Sequence, residues 1–238
     1  KISSSGKILD HTVMETAPGT LFIVATPIGN LGDITLRALE TLKAVDAVLS
    51  EDTRVTGKLL MHYEIKKSLV SCHEHTDDTK LGQIIGRLTQ GESLAFVSDA
   101  GTPGLSDPGN KLVSLALAAG IPVVPIPGVS ALAAMVSVAG IDMREFMFLG
   151  FPPHKKGRET FFKKVAATEI PVVYYESVHR VVKNLELLET LAPESRVIIG
   201  RELTKMFEEV RRGSVSDILA HYREHESTVK GEFVVISY

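Results

Sequence analysis

The sequence predicts an α/β protein with two domains, the first built on a largely parallel, doubly wound sheet and the second on a mixed α/β sheet. From residue 21 onward, apolar runs of strand length alternate with helical patterns, which is typical of βα units and a parallel sheet. After Gly128, neighbouring apolar runs stand close enough in the chain to pair antiparallel. A chain of 238 residues is long enough to bury two cores.

Each predicted element rests on its own pattern. The strands of the first domain are short apolar runs, at residues 21–25, 47–50, 69–71, 94–98 and 122–126. Between them, apolar residues recur at helical spacing around residues 36–45, 81–88 and 112–119, so each helix can cover one face of the sheet. The second domain begins with a helix of small residues over 130–139. Its predicted strands are residues 146–149, 172–176, 197–200, 209–212 and 233–237.

Domain boundaries and location follow from composition. The proline-rich segment before Gly128 predicts domains of residues 20–127 and 128–238. Residues 1–19 contain Ser and Thr without an apolar core, which predicts a flexible extension and no secretory signal. No apolar stretch reaches the roughly 20 residues that a bilayer requires. Because the single cysteine, Cys72, also has no partner for a disulfide, the sequence predicts a cytoplasmic protein without a membrane span.

Metal binding is not predicted. One thiol cannot assemble a cysteine site, and the triplet His73-Glu74-His75 alternates along an extended segment, so adjacent side chains point to opposite faces. No third ligand stands at a recognisable spacing.

Three glycine- and proline-rich loops each follow a predicted strand, at residues 25–33, 98–109 and 125–131. Glycines let a backbone approach a ligand closely and prolines fix it, whereas the carboxylate of Asp99 can accept hydrogen bonds from a cation or an amine. The glycines do not form the dinucleotide fingerprint, and no phosphate loop is present. Because ligands bind at the carboxyl ends of parallel strands, the three loops are expected to converge on one cleft.

Five motifs in order carry a family resemblance: Thr26-Pro27-Ile28-Gly29-Asn30-Leu31, Glu51-Asp52-Thr53-Arg54, Ser98-Asp99-Ala100-Gly101-Thr102-Pro103, Tyr175-Glu176-Ser177-x-His179-Arg180 and Arg201-Glu202-Leu203-Thr204-Lys205. The set resembles the tetrapyrrole methylase superfamily, and within it the branch that methylates the ribose 2′-hydroxyl of a cytidine in 16S rRNA. The resemblance implies a two-domain tetrapyrrole-methylase-like fold, an S-adenosylmethionine (SAM) site between the domains, a homodimer, and the small ribosomal subunit as partner.

The resemblance also implies which residues hold SAM. They come from the three loops and from two segments of the second domain: Pro27, Ile28, Val97, Ser98, Asp99, Thr102, Ser130, Ala131, Glu176 and Leu203. Asp99 has the best physical case, because a carboxylate can pair with the SAM ammonium group and charge-assisted hydrogen bonds are strong. The alternative is an Asp that caps a helix or a turn.

Methyl transfer to a ribose hydroxyl also needs a base, because a neutral hydroxyl is a poor nucleophile. The catalytic candidates are Glu51, Asp52, Arg54, Glu202 and Lys205. Glu51 and Asp52 follow a strand, and paired carboxylates there could share one proton, with one pKa raised. The alternative is that one of the two caps the helix that begins near Arg54.

The net charge of −3 disfavours a protein that coats nucleic acid with its whole surface. A local basic segment is nevertheless present in residues 150–158, where Lys155, Lys156 and Arg158 stand in a proline-fixed loop that suits contacts with the RNA backbone. The alternative is a solvated helix face. His179 and Arg180 open a helix after a strand and contact phosphate in one interpretation or cover the helix surface in the other.

Two other functions stay open on the sequence. A methylase of a tetrapyrrole intermediate of the precorrin type would use the same SAM pocket, although the basic segment disfavours it. A non-catalytic ribosome-binding module would keep the fold without turnover, although the intact loops at Pro27, Asp99 and Ser130 disfavour that.

Overall fold

The structure, a computed structural model, describes residues 19–106 and 109–238. The chain divides into two compact units, one of Lys1–Val24, Thr35–Asp99 and Pro108–Pro127, the other of Ala25–Ile34, Ala100–Asp107 and Gly128–Tyr238. Two loops from the N-terminal half therefore group with the second unit. The expected flexible extension lies outside the described residues except for Gly19, and the predicted domain boundaries stay a prediction.

The first unit contains a five-stranded parallel sheet, as predicted. Its strands are β1 (Leu21–Val24), β2 (Ala47–Ser50), β3 (Ser68–Ser71), β4 (Leu94–Val97) and β5 (Val123–Ile126), in the order β3-β2-β4-β1-β5. Its helices are α1 (Leu36–Ala44), α2 (Thr53–His62), α3 (Asp78–Thr89) and α4 (Asn110–Ala118). All parallel pairs share one direction, so the carboxyl ends of the strands meet at one edge.

The three central strands of this sheet, β2, β4 and β1, are buried on both sides because both faces are covered. On one face Leu49 and Phe96 of the strands pack with Ile84 of α3 and Leu112 of α4. The alternate strand residues are buried as well, and they are Phe22, Val24, Val48, Ala95 and Val97. Buried runs of this kind explain why the sequence shows short continuous apolar segments here and not alternation.

The second unit contains a five-stranded mixed sheet, as predicted. Its strands are β6 (Met147–Phe148), β7 (Val172–Ser177), β8 (Arg196–Arg201), β9 (Glu209–Ser214) and β10 (Glu232–Ser237), in the order β6-β7-β10-β8-β9. Only β6 and β7 pair parallel, and the other neighbours are antiparallel. Its helices are α5 (Ala131–Ser137), α6 (Arg158–Ala167), α7 (Val181–Leu191) and α8 (Val215–Glu224).

This second sheet has a different cover on each face, which sets up the site described below. Helices α6, α7 and α8 pack on one face through side chains such as Phe162, Leu185 and Leu219. The other face carries Val173 and Ile198 beneath α5 and two loop segments. None of the helices in residues 19–106 and 109–238 is long and apolar enough to cross a bilayer.

Candidate functional site

The three predicted loops meet one another in the second unit. Thr26 and Gly101 form an isolated antiparallel bridge, in which the Thr26 N–H donates to Gly101 O at 2.9 Å and the Gly101 N–H donates to Thr26 O at 3.0 Å. The hydroxyl of Thr102 donates to the carbonyl of Val129 at 3.0 Å. Backbone and side-chain hydrogen bonds thus join the first loop to the second and the second to the third.

Glycines allow this close approach. Gly101 has φ +80°, and a Cβ on it would lie 3.3 Å from Ile28 Cγ2 and 3.8 Å from Val129 O. A Cβ on Gly128 would lie 3.0 Å from the Cβ of Ala25. Larger residues at either position would push the loops apart.

An apolar floor lies under the loops. Ile28 of the first loop, Ala131 and Met135 of α5, and Leu203 after β8 belong to one hydrophobic cluster on the second sheet. Ile28 and Leu203 each keep 9% of their surface exposed. Three residues that the resemblance assigns to SAM therefore pack in a single cluster, although they are far apart in the sequence.

Ser130 is a polar residue directly before Ala131 of this cluster. Its Oγ is buried and has no hydrogen-bond partner among the described residues. Ser130 is the N-cap residue of α5, yet its side chain makes no capping hydrogen bond. A buried hydroxyl without a partner costs about 1–3 kcal/mol, so this oxygen is suited to a ligand.

In the first unit, Asp99 follows β4 and its strand neighbours Val97 and Ser98 are buried. The Asp99 Oδ1 accepts a hydrogen bond from the backbone N–H of Asp52 at 3.0 Å. The residues after β4 are thereby tied to the residues after β2. The hydrogen bond to Oδ1 also orients the carboxylate of Asp99.

Asp52 caps helix α2. Its Oδ1 accepts from the Arg54 N–H at 2.8 Å, and its carboxylate also binds the Arg54 guanidinium, with Oδ2 and Nη2 2.5 Å apart. The hydrogen bonds from the Arg54 side chain and backbone lower the pKa of Asp52 to about 2. The capping alternative therefore describes Asp52, and a proton shared with Glu51 does not.

Glu51 differs from Asp52 in its lack of a partner and in the direction of its pKa shift. Its side chain has no hydrogen bond or ion pair with the described residues, and burial raises its pKa. The charge of Asp99 raises the pKa further, while His73 opposes this shift. A carboxylate whose pKa moves towards neutrality becomes a better proton acceptor, so Glu51 and Asp52 differ in their suitability as a base.

Glu202 and Lys205 neutralise each other in the second unit. Lys205 Nζ donates to Glu202 Oε1 and to Glu232 Oε2, both at 2.8 Å, and the Glu232 N–H donates to Glu202 Oε1 at 3.0 Å. Burial alone would raise the pKa of Glu202, but these hydrogen bonds outweigh it and lower the pKa. They also raise the pKa of Lys205 against the opposite effect of burial. A carboxylate with a lowered pKa and a lysine with a raised pKa are poor proton acceptors, and a catalytic role for either residue stays a prediction.

Glu176 is likewise committed to its own unit. Its side chain is 1% exposed. Its Oε1 accepts from the Ser177 N–H at 2.7 Å, and its Oε2 accepts from Asn184 Nδ2. Burial raises the pKa of Glu176 despite these hydrogen bonds. Each oxygen of this carboxylate already accepts one hydrogen bond, and the assignment of Glu176 to the SAM site stays a prediction.

The predicted RNA-contacting residues fall into two groups. Lys155 and Lys156 are exposed, Arg158 is half-buried, and His179 is exposed. Arg180 instead keeps 14% of its side chain exposed and donates to Ser177 Oγ and Pro152 O, each at 3.0 Å. Arg180 is thus more enclosed than a residue on a helix surface, and its contact with phosphate stays a prediction.

Sequence reasoning missed Asn184 and Glu232. Asn184 is 1% exposed on the apolar face of α7, between Val181 and Leu188. A polar residue inside an apolar helical stripe was a usable signal for a buried partner. Glu232 carried no such signal, because its partner Lys205 is distant in the chain. Among the described residues, no cluster of three or more His, Cys, Asp or Glu side chains could hold a metal ion.

Comparisons with known proteins show the family to which this chain is similar. Residues 20–219 match the family of Tetrapyrrole (Corrin/Porphyrin) Methylases. The chain is 44% identical over 228 residues to "Ribosomal RNA small subunit methyltransferase I" of Escherichia coli O157:H7, covering 95% of this chain and 80% of that protein. The protein of the same name from Xylella fastidiosa is 46% identical, covering 93% and 82%. That from Borrelia garinii is 43% identical, covering 91% and 97%.

Solved structures show the same fold at lower identity. A cobalt precorrin-4 methyltransferase matches with a TM-score of 0.69 and 17% identity, covering 92% of this chain and 94% of that chain. The uroporphyrin-III-C-methyltransferase of Thermus thermophilus matches with a TM-score of 0.64 and 20% identity, with the same coverage. These likenesses describe the fold of the two-sheet chain.

Proposed function

This chain belongs to the tetrapyrrole methylase family, and we propose that it methylates the ribose 2′-hydroxyl of a cytidine in 16S rRNA of the small ribosomal subunit. The family and its methyltransferase relatives depend on SAM, so SAM is the cofactor of this chain. The proposal that rRNA is the substrate is supported by the identity of 43–46%, over more than nine-tenths of the chain, to proteins named as rRNA methyltransferases.

The residues present fit SAM. When bound, SAM supplies an electrophilic methyl group on a sulfonium. Ser130 offers a buried hydroxyl without a partner, and Ile28 and Leu203 offer apolar surface. Asp99 offers a carboxylate that can pair with an ammonium group. We assign to cofactor binding Pro27, Ile28, Val97, Ser98, Asp99, Thr102, Ser130, Ala131, Glu176 and Leu203.

Ser130→Ala is expected to weaken SAM binding about two- to tenfold, the value of one neutral hydrogen bond. The free energy of unfolding without SAM should stay the same or rise, because the substitution removes a buried hydroxyl that has no partner. Calorimetric titration and chemical denaturation measure the two effects. Ser137→Ala on the same helix is the control, since its exposed hydroxyl bonds only Ala134 O. Equal SAM affinity in Ser130→Ala and wild type would contradict the assignment.

Glu51 is the proposed general base. Methyl transfer to a ribose hydroxyl needs the acceptor oxygen in line and its proton removed, and Glu51 would accept that proton. Asp52 and Arg54 support this indirectly, because their pairing fixes the start of α2 directly after Glu51. Asp99 supports it electrostatically by raising the pKa of Glu51.

The basic loop, defined here as residues 150–158, is proposed to contact the rRNA backbone. The side chains of Lys155 and Lys156 are exposed and form no ion pair with the described residues, whereas the charge of Arg158 also acts on the carboxylate of Glu176. Exposed cations of this kind position a nucleic acid through its phosphates and do not read its sequence. His179 adds an exposed imidazole after β7.

Lys155→Glu combined with Arg158→Glu is expected to weaken binding to small ribosomal subunits at least about tenfold at physiological salt and to flatten the salt dependence. SAM affinity should not change, because neither residue belongs to the loops at Ile28, Thr102 and Ser130. The matched control reverses the charges of Lys66 and Lys67 in the first unit. A parallel loss of SAM affinity would show instead that the basic loop is structural.

The proposed function is tested by transfer of a labelled methyl group from SAM. Small subunits that lack the modification and a precorrin-type tetrapyrrole are offered as separate acceptors. Label in 16S rRNA and none in the tetrapyrrole is expected, and the reverse result would make the chain a tetrapyrrole methylase. Subunit binding without any transfer would make it a non-catalytic module. A cytoplasmic location and a homodimer stay predictions.

A further inference from the structure

The guanidinium of Arg180 lies between Pro152 and the end of β7, where it contacts Ser177 and faces Glu176. Its Nη1 donates to Pro152 O and its Nε donates to Ser177 Oγ, each at 3.0 Å. Glu176 Oε1 lies 3.9 Å from Nε. Since both charged side chains are largely buried, the carboxylate balances the guanidinium where water cannot.

Pro152 is the point where the basic loop leaves the packed part of the unit. Just before it, Gly150 O accepts from the Tyr175 N–H at 2.9 Å, and the ring of Phe151 contacts that of Tyr175 with centroids 5.3 Å apart. Pro152 itself is buried, whereas Lys155 and Lys156 are exposed. The Arg180 hydrogen bond therefore fixes the residue from which the cationic part of the loop projects.

Gly150 also lies close to Ser106 of the second glycine-rich loop. Gly150 has φ +64°, and a Cβ on it would lie 2.8 Å from Ser106 Oγ. The start of the basic loop is thus held by β7, by the second glycine-rich loop and by Arg180. A phosphate-binding loop that is fixed before its ligand arrives loses less conformational entropy on binding.

We infer that Arg180 is a positioning residue for the rRNA substrate, which it serves by holding Pro152 and so the basic loop, without contacting the RNA. This inference rests on the proposed function. A planar guanidinium can bridge the Pro152 carbonyl and the Ser177 hydroxyl at once, whereas a lysine ammonium at this site is a point charge on a flexible stem. The charge of Arg180 alone is therefore insufficient.

The first test compares Arg180→Gln and Arg180→Lys in binding to small subunits. Both variants should bind about tenfold more weakly than wild type, with SAM affinity within about twofold. Arg144→Gln is the matched control, because Arg144 is an exposed arginine in the same unit that pairs only with Asp142. Wild-type binding by Arg180→Lys would overturn the inference, since it would mean that charge alone suffices, as in a direct phosphate contact.

The second test asks whether Arg180 acts through the basic loop. Three variants are compared with wild type in a double-mutant cycle. They are Arg180→Gln, the pair Lys155→Gln with Lys156→Gln, and the combination of all three substitutions. If Arg180 only positions the loop, its substitution should add little to the loss already caused by removing the lysines. Fully additive losses would overturn the inference.

The third test does not depend on RNA. Amide hydrogen exchange in residues 150–158 should be several-fold faster in Arg180→Gln and Arg180→Lys than in wild type, with exchange in the first sheet unchanged. Exchange equal to that of wild type would overturn the anchoring itself. A wild-type protein that binds no small subunit would instead overturn the proposed function and the rRNA part of the inference, so the two failures are distinguishable.

Discussion

Asp99→Asn is expected to weaken SAM binding about 10- to 100-fold, because a hydrogen bond to a charged group contributes about 1.5–3 kcal/mol. The asparagine Oδ1 can still accept from the Asp52 N–H, as Asp99 Oδ1 does at 3.0 Å, so the link between the ends of β4 and β2 is kept. The substitution thus removes charge and keeps the local geometry. Calorimetric titration with SAM measures the effect.

Asp142→Asn is the control for this experiment, since Asp142 is an exposed aspartate that pairs only with Arg144. Unchanged SAM affinity in Asp99→Asn would remove Asp99 from the cofactor site. Asp99→Asn should also change how the activity depends on pH. Because the charge of Asp99 raises the pKa of Glu51, any residual activity should keep its base ionised to lower pH than wild type does.

Glu51→Gln is expected to lower kcat about 10²- to 10⁴-fold, the usual contribution of a positioned general base, with SAM affinity unchanged. A base must be deprotonated to act, and burial raises the pKa of Glu51 above the ordinary value of 4.5. The wild-type rate should therefore fall as the pH drops through that raised pKa. The residual rate of Glu51→Gln should lack this acidic limb.

Glu74→Gln is the matched control for Glu51→Gln. Glu74 is an exposed carboxylate that also raises the pKa of Glu51, so its loss should move the acidic limb slightly to lower pH and leave kcat nearly unchanged. A kcat close to that of wild type in Glu51→Gln would exclude Glu51 as the base. A large loss of SAM affinity in that variant would make it a binding residue.

The strands were predictable from the sequence because they are short apolar runs on buried sheets. The ends were less so: β7 runs one residue beyond its predicted end, to Ser177, and β9 runs two residues beyond, to Ser214. Helix α8 carries Val215, Ile218, Leu219 and Tyr222 at helical spacing and could have been predicted. Helix α6 buries only Phe162 and Val165, so its periodicity is weak.

The candidate site was predictable to the extent that its residues follow strands. Ile28, Ala131 and Leu203 do meet in one cluster, as expected of loops at strand ends. The individual role of a charged side chain depends on its partner, and those partners are distant in the chain. Lys205 pairs with Glu232, and Arg180 donates to Pro152, and neither contact could be predicted from the sequence.

The proposed reaction places the methyl group on a ribose oxygen of a cytidine in 16S rRNA. It is tested by digesting the labelled 16S rRNA from wild-type and Glu51→Gln reactions to nucleosides and separating base-methylated from ribose-methylated species. We expect label in 2′-O-methylcytidine with the wild-type protein and about 10²- to 10⁴-fold slower labelling with Glu51→Gln. Label on a base, or on the ribose of another nucleoside, would contradict it.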